Sequence, residues 1–206
     1  MKMAEKEAEL VLVFKTELLR KLGSFQGFNT GHEKYLNRII DDKSYFFMPR
    51  NDVESNFDYK QLIPYVIITF QDKILYYIRG KGSGEKRLDS LGSIGIGGHI
   101  NYNDFTLFKT DRDAYFGAVE REVFEEIEIK SDFESKVIGI LNDESNQVGK
   151  VHFGVIHLWK LNNPVVNKKE KDITKICFKT PFEIRKEVDK LESWSKICIQ
   201  SLPDFL

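Results

Sequence analysis

Apolar residues recur along this chain with two different spacings, which predict strands in some segments and helices in others. Residues 62–70 (LIPYVIITF) and 74–79 (ILYYIR) are short runs rich in β-branched and aromatic side chains. The polar residues 71–73 separate them, and this arrangement predicts an antiparallel hairpin. Two further apolar runs, at 137–141 and 151–161, predict two more strands.

Residues 116–127 follow the period of an α-helix instead. The apolar side chains that mark its buried stripe are Phe116, Val119, Val123 and Ile127. Two more amphipathic helices are expected at 182–191 and 194–202. This order of strands and helices predicts an α/β (α+β) fold, with a mixed sheet and helices on both of its faces.

The first 60 residues are less regular than the rest. We expect residues 1–60 to form an N-terminal extension that packs on a main domain at 61–206, or on a partner chain in a homodimer. A helix is predicted at 16–22, with Thr16 as its N-cap and Gly23 as its C-cap.

The composition is that of an ordinary soluble globular protein. Lys and Arg number 31 against 32 Asp and Glu, so the net charge of −1 provides no overall field to attract nucleic acid. No apolar run reaches membrane-spanning length, and the charged N-terminus lacks a signal-peptide core. The two cysteines, Cys177 and Cys198, lack metal-type spacing, so we expect reduced thiols in a cytoplasmic protein.

The central helix carries an acidic face. Glu122, Glu125 and Glu126 are spaced i, i+3 and i+4, which places three like charges side by side. Hard divalent cations take such clusters of oxygen ligands, although a solvated acidic face is the simpler interpretation of the spacing alone. Upstream, the glycines of residues 95–98 (GIGG) allow bare backbone to approach a ligand. The order of glycine segment, loop and acidic helix suits a site for a diphosphate and a metal ion.

At these residues the chain resembles the Nudix hydrolase family, whose signature is G-x5-E-x7-R-E-U-x-E-E-x-G-U, with U a bulky aliphatic residue. Residues 121–129 (REVFEEIEI) match the second half at every defined position except Glu128, where the family has glycine. Gly97 and Gly98 resemble the glycine pair that opens the signature. The resemblance implies a Nudix-type α/β/α sandwich with a mixed β-sheet.

The spacing inside the signature departs from the family. Gly98 and Arg121 are 23 positions apart, so the loop at 100–112 contains an insertion of about nine residues. The first acidic position of the signature is therefore open between Asp104 and Asp113. The aromatic residues of this loop either stack on a base and act as a lid, or fill the space against the sheet: Tyr102, Phe105 and Phe108.

The resemblance also implies a reaction, the metal-dependent hydrolysis of a phosphoanhydride in a nucleoside diphosphate linked to another group. The implied ligands of Mg²⁺ or Mn²⁺ are Glu122, Glu125, Glu126 and the carbonyl of Gly97. Arg121 is expected to orient a carboxylate. Glu125 and Glu144 are alternative general bases, and a metal-bound hydroxide without a general base is the third alternative. Glu144 is a candidate because Nudix enzymes often take a further carboxylate from a loop beyond the signature; Asp143 competes with Glu144 for that role.

Substrate phosphates have candidate partners in the glycine-rich basic loop that follows the hairpin. Arg79, Lys81 and Arg87 lie in or beside flexible backbone and can hold phosphate oxygens, as can the backbone of Gly98. The alternative is a hairpin tip with solvated charges.

Two other functions compete with the hydrolase. One is a non-catalytic nucleotide-binding or regulatory module that keeps the fold, which the degraded first half of the signature favours. The other is an RNA 5′-end pyrophosphohydrolase, which the near-neutral charge does not support.

Overall fold

A computed structural model describes residues 9–80, 90–106, 109–169 and 173–201 of the 206-residue chain. Its Cα positions group into two compact units. The first unit comprises Met1–Pro64, Gly98–Arg121 and Ile138–Ile156, and the second comprises Tyr65–Gly97, Glu122–Val137 and His157–Leu206. Residues 1–60 therefore group with two later segments of the chain.

The strands and helices follow one another in a mixed order. The strands are β1 (Leu10–Lys15), β2 (Gly27–Asn29), β3 (Tyr45–Pro49), β4 (Tyr59–Phe70), β5 (Lys73–Arg79), β6 (Gly92–Ser93), β7 (Gly95–Gly97), β8 (Ile127–Ile129), β9 (Phe133–Asn142), β10 (His152–Leu161), β11 (Val166–Lys168) and β12 (Ile173–Lys179). The α-helices are α1 (Thr16–Leu22), α2 (His32–Leu36), α3 (Arg50–Val53), α4 (Asp111–Glu126), α5 (Gln147–Val151), α6 (Pro181–Arg185) and α7 (Ser193–Ser201). None of these helices combines the length and the apolar character that are needed to span a bilayer.

Within the described ranges, ten strands join in one large sheet. Its successive neighbours are β12, β5, β4, β10, β9 and β2, while β8 pairs separately with β11. The predicted hairpin is confirmed: Thr69 faces Ile74 and Phe70 faces Lys73 across a two-residue turn. Together with the helices, this sheet confirms the predicted mixed α+β fold class.

The N-terminal strands of the first unit build a local apolar core. Strand β1 lies between β3 and β4, because Val13 pairs with Phe46 on one side and with Gln61 on the other. The buried residues of this cluster and the side chains packed on it are Val11, Val13, Val53, Phe46, Met48 and Tyr59. The extension thus contributes strands to the sheet itself.

Four aromatic rings join the inserted loop to β3, and we call Tyr45, Phe47, Tyr102 and Phe105 the aromatic cluster. Phe105 lies 5.4 Å from Tyr45 and 5.2 Å from Phe47 between ring centroids. Tyr102 meets Phe47 edge to face at 5.3 Å, yet 57% of Tyr102 stays exposed. The inserted loop therefore packs through Phe105, whereas Phe108 lies outside the described residues.

Polar contacts strengthen the same junction within the first unit. The Tyr45 hydroxyl donates to Asp111 at 2.7 Å, where α4 begins. The guanidinium of Arg112 donates to both carboxylate oxygens of Asp41 at 3.0 Å. Because these partners lie in the inserted segment and in the N-terminal extension, each of the two segments helps to order the other.

The buried stripe predicted for the central helix is wrong at its first residue. Phe116 is 37% exposed, while Tyr115, Val119, Val123 and Ile127 are almost fully buried. The helix begins at Asp111 and places Tyr115, four positions before Val119, on the buried face.

Two other expectations need correction. Thr16 is not the N-cap of α1, because Lys15 holds that position and the Thr16 hydroxyl donates to the Phe57 carbonyl. Gly23 is the C-cap as predicted, with φ of 100°. The helix expected at 182–191 stops at Arg185 and continues only as a short 3₁₀ turn at Val188–Lys190. Strand β12 was not predicted.

Replacing Phe105 with alanine tests the aromatic cluster. We expect the free energy of unfolding, measured by urea denaturation, to fall by about 1–3 kcal/mol, since two ring contacts and their buried area are lost. Phe182→Ala is the matched control, because Phe182 is 66% exposed. Equal stability of Phe105→Ala and the unaltered protein would show that the cluster does not anchor the inserted loop.

Candidate active site

Residues 92–97, which include most of the predicted glycine segment, form β6 and β7 in the second unit and leave no room for a side chain at Gly95. In β7, Gly97 lies opposite Tyr65 and Gly95 opposite Ile67. A Cβ atom on Gly95 would lie 2.2 Å from the Tyr65 ring. The Tyr77 hydroxyl donates to the Gly95 carbonyl at 3.0 Å. The bare backbone expected here is therefore enforced by tyrosine side chains.

Three of the predicted metal ligands, Glu122, Glu125 and Glu126, lie in the same unit as Gly97. They occupy the last two turns of α4; Glu125 is exposed and the other two are partly buried. Burial raises the pKa of Tyr77 to about 12, and the charges of Glu192 and Glu126 add to the rise. The hydroxyl of the same tyrosine binds the carbonyl of Gly95.

The donor set suits a hard divalent cation by its chemistry, since carboxylate and carbonyl oxygens are what Mg²⁺ and Mn²⁺ take. Among the side chains that the structure describes, no three His, Cys, Asp or Glu residues form a group that could hold a metal ion. The proposed ligands here are Glu122, Glu125, Glu126 and the carbonyl of Gly97. Their assignment as metal ligands stays a prediction.

The central helix ends without the glycine of the family signature. It stops at Glu126, and the chain passes directly into β8, which contains Glu128. The backbone N–H of Lys169 donates to the Glu126 carbonyl at 3.0 Å, and its ammonium group donates to the Phe124 carbonyl. Lys169 thus satisfies helix-terminal carbonyls that a glycine cap would otherwise satisfy.

In the first unit, Arg121 settles which acidic residue faces it. Its guanidinium donates to both carboxylate oxygens of Asp104, at 2.7 and 2.8 Å, and to the His99 carbonyl at 3.0 Å. Asp113 instead accepts from the hydroxyl of Thr110 at the start of α4. Of the two acidic residues that the sequence left open, Asp104 is therefore the one that pairs with Arg121.

Glu144, the predicted alternative base, is held by a buried lysine. The Lys60 ammonium is 2.8 Å from a Glu144 oxygen, and it donates to the carbonyls of Gly149, Lys150 and His152 at 3.2, 3.0 and 3.4 Å. Lys60 has no exposed surface, whereas the Glu144 side chain is 48% exposed. Burial lowers the pKa of Lys60, and Glu144 opposes that change.

Asp143 organises the same loop from inside. It accepts hydrogen bonds from Gln26, Ser145 and Asn146. Burial raises the pKa of Asp143, but these hydrogen bonds outweigh burial and hold the pKa below its usual value of 3.8. Asp143 therefore acts as a structural anchor, which leaves Glu144 as the outward-facing carboxylate of the loop.

The predicted phosphate-binding residues are only partly described. Lys81 and Arg87 lie outside the described residues, and Gly98 is partly buried in the first unit. The Nε atom of Arg79 lies 3.4 Å from an oxygen of the nearly buried Glu192. Tyr77, Glu192 and Glu126 hold the pKa of Arg79 above its usual value. Arg79 thus already has a partner inside the second unit.

Comparison with known proteins identifies the family. No protein-family model matches the chain. Protein YmaB of Bacillus subtilis is 31% identical over 201 residues, which cover 92% of each chain. The crystal structure of Tm1382, described as a candidate Nudix hydrolase, is 33% identical, with a TM-score of 0.80 over 96% of this chain and all of that one.

The chain belongs to the Nudix hydrolase family. A more distant structure, DR0079 of Deinococcus radiodurans, is 11% identical with a TM-score of 0.52 over 69% of this chain and 83% of that one, so the likeness is one of fold alone. Two buried charged residues of this Nudix chain, Lys60 and Glu192, were not predicted from the sequence to take part in the site. Lys60 stands out only as a lone charge beside an apolar strand, and Glu192 carries no signal of its own in the sequence.

Arg121→Lys tests the pairing with Asp104. A lysine cannot form the two parallel bonds of a guanidinium, so we expect the free energy of unfolding to fall by about 1–2 kcal/mol. Arg112→Lys is the control, since it changes an exposed pair with Asp41 in the same way. A smaller loss for Arg121→Lys than for the control would contradict the role given to the Asp104 pair.

Asp143→Asn tests the anchor of the Glu144 loop. At neutral pH we expect a loss of about 1–3 kcal/mol in the free energy of unfolding, because buried donors lose a charged acceptor. The lowered pKa means that Asp143 stabilises the fold above pH 3.8, and that this stabilisation disappears as the pH falls through the lowered value.

Urea denaturation at neutral and acidic pH should therefore show the difference between Asp143→Asn and the unaltered protein shrinking below pH 3.8. Asp42→Asn, which removes an exposed partner of Arg38, is the control. A difference that stays constant with pH would rule out the stabilising role of the Asp143 charge.

Proposed function

We propose that this protein is a metal-dependent pyrophosphohydrolase that cleaves a phosphoanhydride in a nucleoside diphosphate linked to another group. The observation that carries the proposal is that Gly97 and the acidic end of α4, with Glu122, Glu125 and Glu126, lie in one compact unit of a Nudix chain. Family membership and the Arg121–Asp104 pair support it.

A phosphoanhydride resists hydrolysis because its charged oxygens repel an incoming nucleophile. Bound Mg²⁺ or Mn²⁺ supplies charge neutralisation, orients the phosphates and lowers the pKa of water. In this chain, Glu122, Glu125, Glu126 and the carbonyl of Gly97 would hold such an ion. Arg121 contributes by fixing the backbone at His99 and the carboxylate of Asp104.

The proton acceptor is proposed to be Glu125, with Glu144 as the alternative. Glu125 is the exposed member of the helical set, so water and substrate reach it directly. Glu144 is also accessible, but its charge is already balanced by Lys60 at 2.8 Å.

Phosphate binding is proposed for the segment that begins at Arg79 and for the backbone of Gly98. We place the reaction in the cytoplasm, on a small nucleotide-type substrate, consistent with two cysteines that form no disulfide. A non-catalytic nucleotide-binding module is the second candidate, and the degraded first half of the signature favours it. The two differ in whether any product is released.

Glu125→Gln and Glu126→Gln test the hydrolase. We expect either change to lower kcat by about 100-fold or more, since a base or a metal ligand is lost. The assay measures the release of phosphate or monophosphate from nucleotide sugars, dinucleoside polyphosphates, ADP-ribose and nucleoside triphosphates with Mg²⁺ or Mn²⁺.

Glu128→Gln is the matched control, because Glu128 lies just beyond the helix and pairs with Lys130 and Asn167 at the surface. We expect its activity to equal that of the unaltered protein. Full activity in both helical variants would place the chemistry elsewhere. No product from any substrate with the unaltered protein would favour the non-catalytic module.

A further inference from the structure

A buried carboxylate at the start of the last described helix is fully engaged inside the second unit. Glu192 is 7% exposed. One of its oxygens accepts hydrogen bonds from the hydroxyls of Tyr65 at 2.8 Å, Ser93 at 2.5 Å and Ser195 at 3.2 Å. The other oxygen lies 3.4 Å from Arg79. A buried carboxylate is tolerated only when hydrogen bonds and a counter-charge meet it in this way.

The groups around Glu192 also hold the backbone of the glycine segment. The N–H of Ile94 donates to the Ser195 hydroxyl at 3.0 Å, and the N–H of Glu192 donates to the Gly92 carbonyl at 3.0 Å. The Ser93 hydroxyl lies 2.9 Å from the Gly95 carbonyl, so its proton serves either that carbonyl or Glu192. Residues 92–95 are thereby bonded to the backbone of Glu192 or to the groups around its carboxylate.

Tyr65 connects this network to Gly97. Its hydroxyl donates to Glu192, its ring fills the space beside Gly95, and its backbone pairs with Gly97 across β4 and β7. A shift of the Tyr65 side chain would therefore be transmitted to the glycine strand by direct contact. Ser93, Ser195 and Glu192 are almost fully buried, so water cannot easily replace the lost hydrogen bonds.

We propose that Glu192 is a positioning residue that fixes the backbone of residues 92–97, and with it the direction of the Gly97 carbonyl. The inference rests on the proposed function, in which that carbonyl is a metal ligand. Glu192 does not touch substrate or metal in this proposal; it acts through Tyr65 and the two serines. The C-terminal segment of the chain thus belongs to the machinery of the site, although it lies outside the family signature.

Glu192→Gln tests this role, because glutamine keeps the shape of the side chain and removes its charge. The first readout is Mn²⁺ affinity, measured by electron paramagnetic resonance on the full chain without substrate. We expect the Kd for Mn²⁺ to rise by roughly 10-fold, the effect typical of losing a residue that supports a metal ligand. The second readout is hydrogen–deuterium exchange, which should accelerate at the amides of residues 92–97.

Glu183→Gln is the matched control, since Glu183 lies in the same unit and its exposed carboxylate accepts hydrogen bonds from Thr180 at the start of α6. Neither readout should change in this variant. Tyr65→Phe is the second test variant; it removes a single hydroxyl, and we expect the same two changes at smaller size. It provides the answer if Glu192→Gln does not fold.

Unchanged Mn²⁺ affinity and unchanged exchange at residues 92–97 in a folded test variant would overturn the positioning role. Mn²⁺ binding by the unaltered protein separates a failure of this inference from a failure of the proposed function. If the unaltered protein binds no Mn²⁺, the metal-dependent function fails, and faster exchange in Glu192→Gln but not in Glu183→Gln still supports the hold on the glycine segment.

Discussion

The close approach of the Tyr65 ring to Gly95 is the constraint on which the candidate site depends. With a prospective Cβ atom only 2.2 Å from the ring, the strand tolerates no side chain at this position. The ring in turn is fixed by the hydrogen bond of its hydroxyl to a buried carboxylate. The bare backbone of the Nudix glycine segment is thus a packing requirement as well as a means of approaching a ligand.

The inserted loop and the N-terminal extension both lie outside the family signature, and they pack against each other. The extension supplies β1 and β3 to the first unit, and the insertion supplies Phe105, Asp111 and Arg112 to meet them. An insertion between Asp104 and Arg121 is tolerated because those two residues still form their ion pair. Additional chain has therefore entered this Nudix protein without breaking the contact that links the two halves of its signature.

The sequence predicts secondary structure well where one hydrophobic period dominates a segment. It predicts poorly where contacts with residues distant in sequence determine the structure. The hairpin at β4 and β5 and the central helix follow directly from spacing. The prediction that Phe116 is buried was wrong because the sequence did not locate the start of the helix inside the inserted loop. Strand β12 was missed since its alternation of Lys with apolar residues is typical of a polar connection as well as of an edge strand. Glu192 gives no local signal, because its partners at 65, 79 and 93 are distant in sequence.

The buried ammonium of Lys60 complicates any interpretation of Glu144 by substitution. The lysine has that carboxylate as its counter-charge, and it donates to three carbonyls in α5 and at the start of β10. Neutralising residue 144 would leave a cation stranded in the interior and would loosen the loop at the same moment. A drop in turnover after such a change would be confounded by altered loop geometry, so only a paired substitution at both positions separates chemistry from architecture.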